Sequence, residues 1–422
     1  MTTLGKYELH EEIGRGGFAT VYRATHKLLE TEAAVKVLNT DRVADFQSRE
    51  RLEREAKIAA GLKHPHIIDI LGLIREGNIL AIVMEYIRGG NLRQWAEVHK
   101  PDTETLLAIF SQVADALDYI HSQRYQSDRP LLHRDVKPEN VLIDSDPVTA
   151  KPIAKLSDFG LVLDPQLATS LTQAQQGIPG TAYYVSPEQV EELPSESLDG
   201  RSDEYSLAVM AYELLCGVRP FDGKDPIAVM NKRLDDGTLL APSKTNPDLP
   251  LEFDEPLLKA LHKAPENRYP TCTDFVRKLS EAWQASRLRQ VRELVESARQ
   301  SAQSGDFKTA REQLDKAERL EPGAVRIQQA RGIITKQAEQ NQRYDEAVQN
   351  WQTAQQKAHA VLDLVADFPD SNGILVTLGA RPPQKQPFNL RDWIIQFGMG
   401  VLLSIPMAIL LFVLAVQWIL NQ

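Results

Sequence analysis

The sequence predicts a mixed α+β domain over residues 1–283, an α-helical region over 284–370 and a single membrane-spanning helix over 393–420. Three observations carry this reading. Strand-like runs alternate with glycine turns and helical stretches in the first part. A polar segment rich in Gln, Ala, Glu and Arg follows. No charged residue occurs from Ile394 to Gln422. At 422 residues the chain is long enough for two or three domains and at least one sizeable core. With 42% hydrophobic and 25% charged residues, wholesale disorder and collagen-like repeats are excluded. The net charge of -10 argues against nucleic acid as a partner, because backbone binding needs a basic surface. Cys216 and Cys272 cannot build a disulfide framework, and neither has a metal-ligand partner at short spacing. That argues against a structural zinc site and fits a reducing cytosol. Met1 to Tyr7 carries no apolar core, so no cleavable secretory signal is expected.

The first element with chemistry is Gly14-Arg15-Gly16-Gly17-Phe18-Ala19-Thr20-Val21. A dinucleotide fingerprint would need a helix directly after the glycines. Here Val21-Tyr22-Arg23-Ala24 is β-type, so the reading is strand, glycine turn, strand. Such a hairpin lays backbone N–H groups over phosphates, where a Cβ would hold the chain off. Next comes Ala33-Ala34-Val35-Lys36-Val37-Leu38. Strand alternation puts Ala34 and Lys36 on one face, from which the lysine can reach phosphates under the turn. Glu55, in a helical stretch from Arg51 to Leu62, is positioned to hold Lys36 by an ion pair; Glu50 and Glu53 compete for that role.

His133-Arg134-Asp135-Val136-Lys137-Pro138-Glu139-Asn140 lies between the apolar runs Leu131-Leu132 and Val141-Leu142-Ile143. It reads as a loop held by a short hairpin. Asp158-Phe159-Gly160 follows after the strand-like Lys155-Leu156. Together these supply a carboxylate base, a lysine, an amide and a second carboxylate. Magnesium takes one or two carboxylates plus substrate phosphates, a set that Asn140 and Asp158 complete.

In this order, the motifs resemble those of the eukaryotic-like serine/threonine protein kinases found in bacteria, over residues from about 7 to 283. Gly180-Thr181 and Ser186-Pro187-Glu188 resemble the substrate-docking loop and its closing motif, with Ser in place of Ala. Asp203 resembles the aspartate that anchors the catalytic loop, and Arg268 the late arginine that pairs with Glu188. Ala19 and Ala208 replace small glycines of the pattern.

The resemblance implies a two-lobed protein kinase fold that uses ATP and Mg2+, with Mn2+ as an alternative metal. It implies that Gly14, Gly16, Gly17 and Val21 cover the nucleotide, and that Lys36 holds its α and β phosphates and pairs with Glu55. Met84, Glu85, Tyr86 and Ile87 then form the hinge that receives adenine through backbone groups. Asp135 orients the substrate hydroxyl and accepts its proton. Lys137 neutralises the γ-phosphate, and Asn140 and Asp158 bind the metal. Lys137 and Thr181 favour Ser/Thr acceptors. Arg134, a cation beside Asp135, implies a phosphorylated activation loop, with Thr169, Ser170 and Thr172 as the sites. A scaffold with vestigial catalytic groups is the alternative class, and a binding module centred on 284–370 is a third.

Within 284–370, Phe307, Ala310, Leu314, Ala317 and Leu320 form an amphipathic stripe ended by Glu321-Pro322-Gly323. This stretch resembles half of a tetratricopeptide repeat, and Tyr344, Ala347, Val348 and Trp351 look like a second. A helical hairpin or stalk that forms a homodimer or docks a partner fits equally well. Arg381-Pro382-Pro383-Gln384-Lys385-Gln386-Pro387 lies in a stiff, basic linker over 371–392. The uncharged run after it would rise roughly 40 Å as a helix, enough to cross a bilayer with tilt. Trp393 and Trp418 stand near its ends, as interfacial tryptophans do. The basic flank predicts a cytoplasmic kinase domain at the bacterial inner membrane, with no domain beyond Asn421 and Gln422.

Overall fold

The computed structural model describes residues 2–16, 19–38, 53, 56–77, 79–124, 130–158, 183–191, 197–223, 226–234 and 239–364. One compact unit covers Met1–Ser286 and a second begins at Arg287. The linker at 371–392 and the apolar run at 393–420 lie outside the described residues. Among the described residues, no helix is long and apolar enough to cross a membrane.

The first unit opens with an antiparallel sheet of β1 (Thr2–Leu4), β2 (Tyr7–Arg15), β3 (Ala19–His26), β4 (Glu32–Leu38), β5 (Ile70–Glu76) and β6 (Ile79–Met84). The strand order is β1-β2-β3-β4-β6-β5. Alternation sorts β4 as the sequence suggests. Ala33 and Val35 pack with Ala24, Ala81 and Val83 on one face. Leu38 packs with Leu80, Ile82 and Ala56 on the other, which is also the face of Lys36. Lys36 stands opposite Val21 on β3 and Ile82 on β6, so its register is fixed on both sides.

The rest of the unit is mainly helical: α1 (Leu92–His99), α2 (Thr103–Ser122), α3 (Pro187–Val190), α4 (Arg201–Cys216), α5 (Pro226–Arg233), α6 (Pro242–Thr245), α7 (Asp254–Ala260) and the start of α8 (Cys272–Gln303). Asn91 and Asp102 cap α1 and α2 through bonds from Gln94 N (3.0 Å) and Thr105 N (2.8 Å). One face of α2 is the core stripe Leu106, Ile109, Phe110, Val113, Leu117 and Ile120. From Ser202 to Tyr212, α4 is buried on all sides, as a central core helix must be.

One local expectation is corrected here. Val141–Ser145 (β7) does not pair back with Leu131-Leu132; it pairs forward with β8 (Pro152–Leu156). Asp146 dictates this, since its Oδ1 accepts from Val148 N (2.9 Å) and Thr149 N (2.6 Å) and closes the turn. The Asp135 loop enters β7 and Asp158 leaves β8 at the same open end of this hairpin, where Val141 pairs with Leu156, so the two are brought side by side.

The second unit is helical. The end of α8, α9 (Phe307–Leu320) and the start of α10 (Val325–Leu364) enclose a small core. Ala310, Leu314 and Ala317 are fully buried there with Val291, Ala298, Ile327 and Ala330. Phe307 and Leu320 flank it, partly buried. Asp306 caps α9 through Thr309 N at 3.0 Å. The second repeat-like stretch, Tyr344 to Trp351, lies inside the uninterrupted 40-residue helix α10 and forms no hairpin of its own. No Pro breaks the chain between Val325 and Leu364, so the helix propagates.

A buried ion pair pins α3 to the segment before α8. Arg268 donates to both oxygens of Glu188 at 2.8 and 2.7 Å, with side chains 0% and 4% exposed. Its remaining donor capacity goes to the carbonyls of His262, Arg201 and Lys263 at 2.7–2.9 Å. Ser202 Oγ adds a bond to Glu188 at 2.7 Å. Burial alone would raise the Glu188 pKa, but these donors hold its carboxyl below the usual range. A depressed folded-state pKa contributes stability above the unfolded value, and that stability is lost as pH falls through the folded one. Glu188→Gln, which strands the guanidinium, should therefore cost about 3–5 kcal/mol at pH 7. The gap to wild type should narrow below about pH 4. Urea unfolding at both pH values reads this out; an equal penalty at both would remove the charge from the explanation.

Candidate active site

The glycine hairpin forms as the sequence suggests, β2 pairing antiparallel with β3. Gly16 N donates to Ala19 O at 2.9 Å across the turn. A Cβ at Gly14 would sit 3.9 Å from Val21 Cβ, and one at Gly16 would sit 3.5 Å from Ala19 O, both ordinary contacts. Neither glycine has a positive φ. The protein's own packing thus does not demand glycine here. The demand comes from close approach of something to the outer backbone. Gly17 lies outside the described residues.

Lys36 Nζ reaches across to Asp158 Oδ1 in a short ion pair. The Lys36 ammonium is the main reason why the Asp158 carboxyl is held well below the usual range, against the opposing effect of desolvation. Glu55 lies outside the described residues. Of its competitors, Glu53 stands 3.6 Å from Arg75 on β5.

Asp135 sits in a loop whose polar groups interlock. Lys137 Nζ donates to its two carboxylate oxygens at 2.9 and 2.8 Å. Asn140 Nδ2 donates to Asp135 Oδ2 and to its backbone carbonyl, each at 2.8 Å. The side chains of Asp135 and Lys137 are each 14% exposed, so the charges are largely withdrawn from water. Beneath them, fully buried Asp203 on α4 accepts from His133 N at 2.8 Å and Arg134 N at 2.7 Å. It also accepts from His121 Nε2 at 2.8 Å. Burial works to raise the Asp203 pKa, yet the hydrogen bonds from His121 and from the His133 backbone hold it low, so it stays ionised. His133 is fully buried, and desolvation lowers its pKa. Its Nε2 lies 3.0 Å from Ser157 O, while Nδ1 accepts from Asp135 N at 3.4 Å. Those partners suit a neutral ring with its hydrogen on Nε2.

Arg134 and Asp158 both take left-handed backbone, with φ of +65° and +68°. Such non-glycine residues are costly and cluster where neighbours over-determine them. At Arg134 the Asp203 bonds do so. At Asp158 the preceding Ser157 is fixed, its N–H and Oγ donating to Asn140 O at 2.8 and 3.0 Å.

The same bonds bring the two metal candidates together. Asn140 commits its Nδ2 to Asp135, which leaves the amide oxygen as its donor. Asp158 contributes a carboxylate 47% exposed. Two oxygen donors tied through Ser157 fit a hard divalent cation that keeps other positions for water or phosphate.

The hinge is fastened from behind. Glu85 N donates to Asp69 O at 3.0 Å, so the Glu85 backbone offers its carbonyl and not its N–H. Its side chain accepts from Asp69 N at 2.8 Å and Lys155 Nζ at 2.7 Å. Ile87 is buried, and Gly89 beyond it passes so close to β7 that a Cβ would lie 2.2 Å from Ile143 O.

Sequence reasoning missed one group. Arg93 on α1 donates to Glu139 of the catalytic loop, to Glu213 of α4 at 3.1 Å and to the Tyr184 hydroxyl. Tyr184 in turn donates to Glu213. Burial, then the Glu213 carboxylate, push the Tyr184 phenol up, so it remains a donor. No local spacing announces this cluster; only Glu139 belongs to a motif. Thr169, Ser170, Thr172 and Thr181 lie outside the described residues.

Comparison with known proteins agrees with this geometry. The profile of the protein kinase domain matches residues 7–298. The serine/threonine-protein kinase PrkC of Bacillus subtilis is 33% identical over 289 residues, 68% of this chain and 42% of that one. The serine/threonine-protein kinase PknF of Mycobacterium tuberculosis is 37% identical over 285 residues, 66% of this chain and 56% of that one. The chain thus spans about two fifths to just over half of the length of these relatives. A crystal structure of the Mycobacterium tuberculosis PknI kinase domain, a double mutant, superposes with a TM-score of 0.51 at 29% identity, covering 67% of this chain and 97% of that one. The chain belongs to the protein kinase domain family.

Proposed function

We propose that the protein is a serine/threonine kinase that transfers the γ-phosphoryl group of ATP to hydroxyls of protein substrates, with Mg2+ or Mn2+ as its metal. The observation that carries this is the Asp135 carboxylate, held by Lys137 and Asn140 on a loop anchored to Asp203. Asp135 Oδ1 and Oδ2 are the acceptors for an incoming hydroxyl, which they orient and whose proton they take. Lys137, already beside that carboxylate, supplies positive charge where the transferred group passes. Lys36 supports the phosphates from β4, and the β2–β3 hairpin covers them with backbone N–H groups. The metal, when bound through Asn140 and Asp158, neutralises phosphate charge. Serine and threonine as acceptors follow from the two named relatives, both serine/threonine kinases. The scaffold alternative needs vestigial polar positions, whereas Lys36, Asp135, Asn140 and Asp158 are all intact.

Regulation belongs to the same proposal: the segment with Thr169, Ser170 and Thr172 is phosphorylated by the enzyme itself. So does membrane anchoring. The support is the uncharged run from Ile394 to Gln422 and the basic residues Arg381, Lys385 and Arg391 before it, with the catalytic domain on the cytoplasmic side. The helical region at 284–370 is then the receiver of a partner or of a second copy.

Purified protein with labelled ATP and a generic protein substrate tests the activity. Asp135→Asn and Lys36→Met should each cut turnover at least ~100-fold while the domain stays folded, because both act through charge at the reacting group. Turnover within tenfold of wild type would remove the residue from its role. Phosphopeptide mapping of active enzyme should find a site among Thr169, Ser170 and Thr172; none there would end the self-phosphorylation reading alone.

Anchoring has its own test. Carbonate-washed membranes should retain the full chain, and a version lacking residues 393–422 should move to the supernatant with its kinase activity intact. Full-length protein released by carbonate would contradict insertion.

A further inference from the structure

Asp118 and His121 share one face of α2, and Cys272 opens α8 against it. One donor atom from each lies within 4.8 Å of the others. His121 Nδ1 and Asp118 Oδ1 are 3.8 Å apart. The site is not a chance meeting of mobile side chains. Asp118 Oδ1 and Oδ2 accept from Cys272 N and Thr273 N, each at 3.0 Å, which clamps the start of α8 onto α2. His121 Nε2 is bonded to the Asp203 carboxylate. A carboxylate only accepts, so in the neutral ring Nε2 carries the hydrogen and Nδ1 carries the lone pair. That is the carboxylate–histidine arrangement that orients an imidazole for a metal.

Gly200 packs against the ring so closely that a Cβ there would clash with Nδ1 at 2.6 Å, so only glycine fits beside it. A cleft of about 370 Å³, lined by Asp118, His121, Arg124, Asp199, Gly200 and Arg201 among others, opens on the Asp118 and His121 side of the cluster, while Cys272 is fully buried behind them. The nearby Arg124 turns one guanidinium nitrogen to the carbonyls of His121 and Gln123 at 2.9 and 3.0 Å.

We propose that Asp118, His121 and Cys272 form a second metal site, separate from the magnesium ligands, for a borderline-soft divalent ion such as Zn2+. Thiolate, imidazole and carboxylate are its ligand types, and a water from the cleft completes a tetrahedron. Binding requires the donors to draw in by about 1 Å, given metal–ligand bonds of about 2.0–2.3 Å. The thiol proton leaves to solvent as the sulfur takes the ion. Because His121 also holds Asp203, an ion here would act on the floor of the catalytic loop.

Cobalt(II) titration of the full-length chain tests the site, with a thiolate-to-cobalt charge-transfer band as readout. Co2+ on the oxygen ligands of the ATP site gives no such band. We expect the band to saturate at one ion per chain, to bleach when Zn2+ is added and to survive Cys216→Ala. Cys272→Ala should abolish it, and Asp118→Asn should weaken Co2+ binding at least ~10-fold. Absence of the band in wild type, its loss in Cys216→Ala or its survival in Cys272→Ala would each overturn the proposal. The wild type and Cys216→Ala decide the matter even where Cys272→Ala does not fold.

Discussion

The carboxylate of Asp203 is the constraint on which the active site rests. It is fully buried on α4, remains ionised, and takes N–H donors from His121, His133 and Arg134. An ionised group without water costs several kcal/mol unless its lone pairs are filled. Here they are filled by His121 and by two backbone N–H groups of the loop, which tie that backbone to α4. The residues proposed to meet the hydroxyl follow from this tie: Asp135 comes directly after Arg134, Lys137 and Asn140 bond to Asp135, and Asn140 fixes Ser157 ahead of Asp158.

This scaffold explains why local rules are broken where they are. Left-handed backbone at Arg134 and Asp158 carries a cost of order 1–3 kcal/mol each, and both positions flank the chemistry. Neither is a turn glycine. In each case hydrogen bonds from a buried partner hold the strained conformation, and the strain aims a polar side chain. The buried Arg268–Glu188 pair does the corresponding work farther out, where α3 meets the segment before α8. Its five N–H donors reach two carboxylate oxygens and three carbonyls, which is how a guanidinium becomes affordable in a core.

Much of the site was legible because its residues are consecutive. Asp135, Lys137 and Asn140 need only one loop, and Lys36 needs only strand alternation and register. The groups that were not legible meet across long separations. His121 reaches Asp203, itself read from the sequence as the anchor of the loop, over 82 residues, and Arg93 reaches Glu213 over 120. Cys272 meets Asp118 over 154 residues, a separation that a reading of short ligand spacings does not reach. The hairpin error has a different cause: apolar runs on both sides of a loop suggested that they pair, while Asp146-Pro147 marked the true turn one strand later. In the helical unit, the α9 stripe was read from its period, but the same period could not tell a second hairpin from the continuation of one long helix.

The claim that Asp203 positions the catalytic loop is tested most directly by the kinetics of Asp203→Asn. The amide keeps the shape but turns an NH2 group toward a backbone N–H, leaving one donor unsatisfied. A loop displaced by about 1 Å should lower kcat roughly 100-fold, with KM for ATP nearly unchanged because the proposed nucleotide contacts come from β2–β4 and the hinge. A kcat within twofold of wild type would contradict the account.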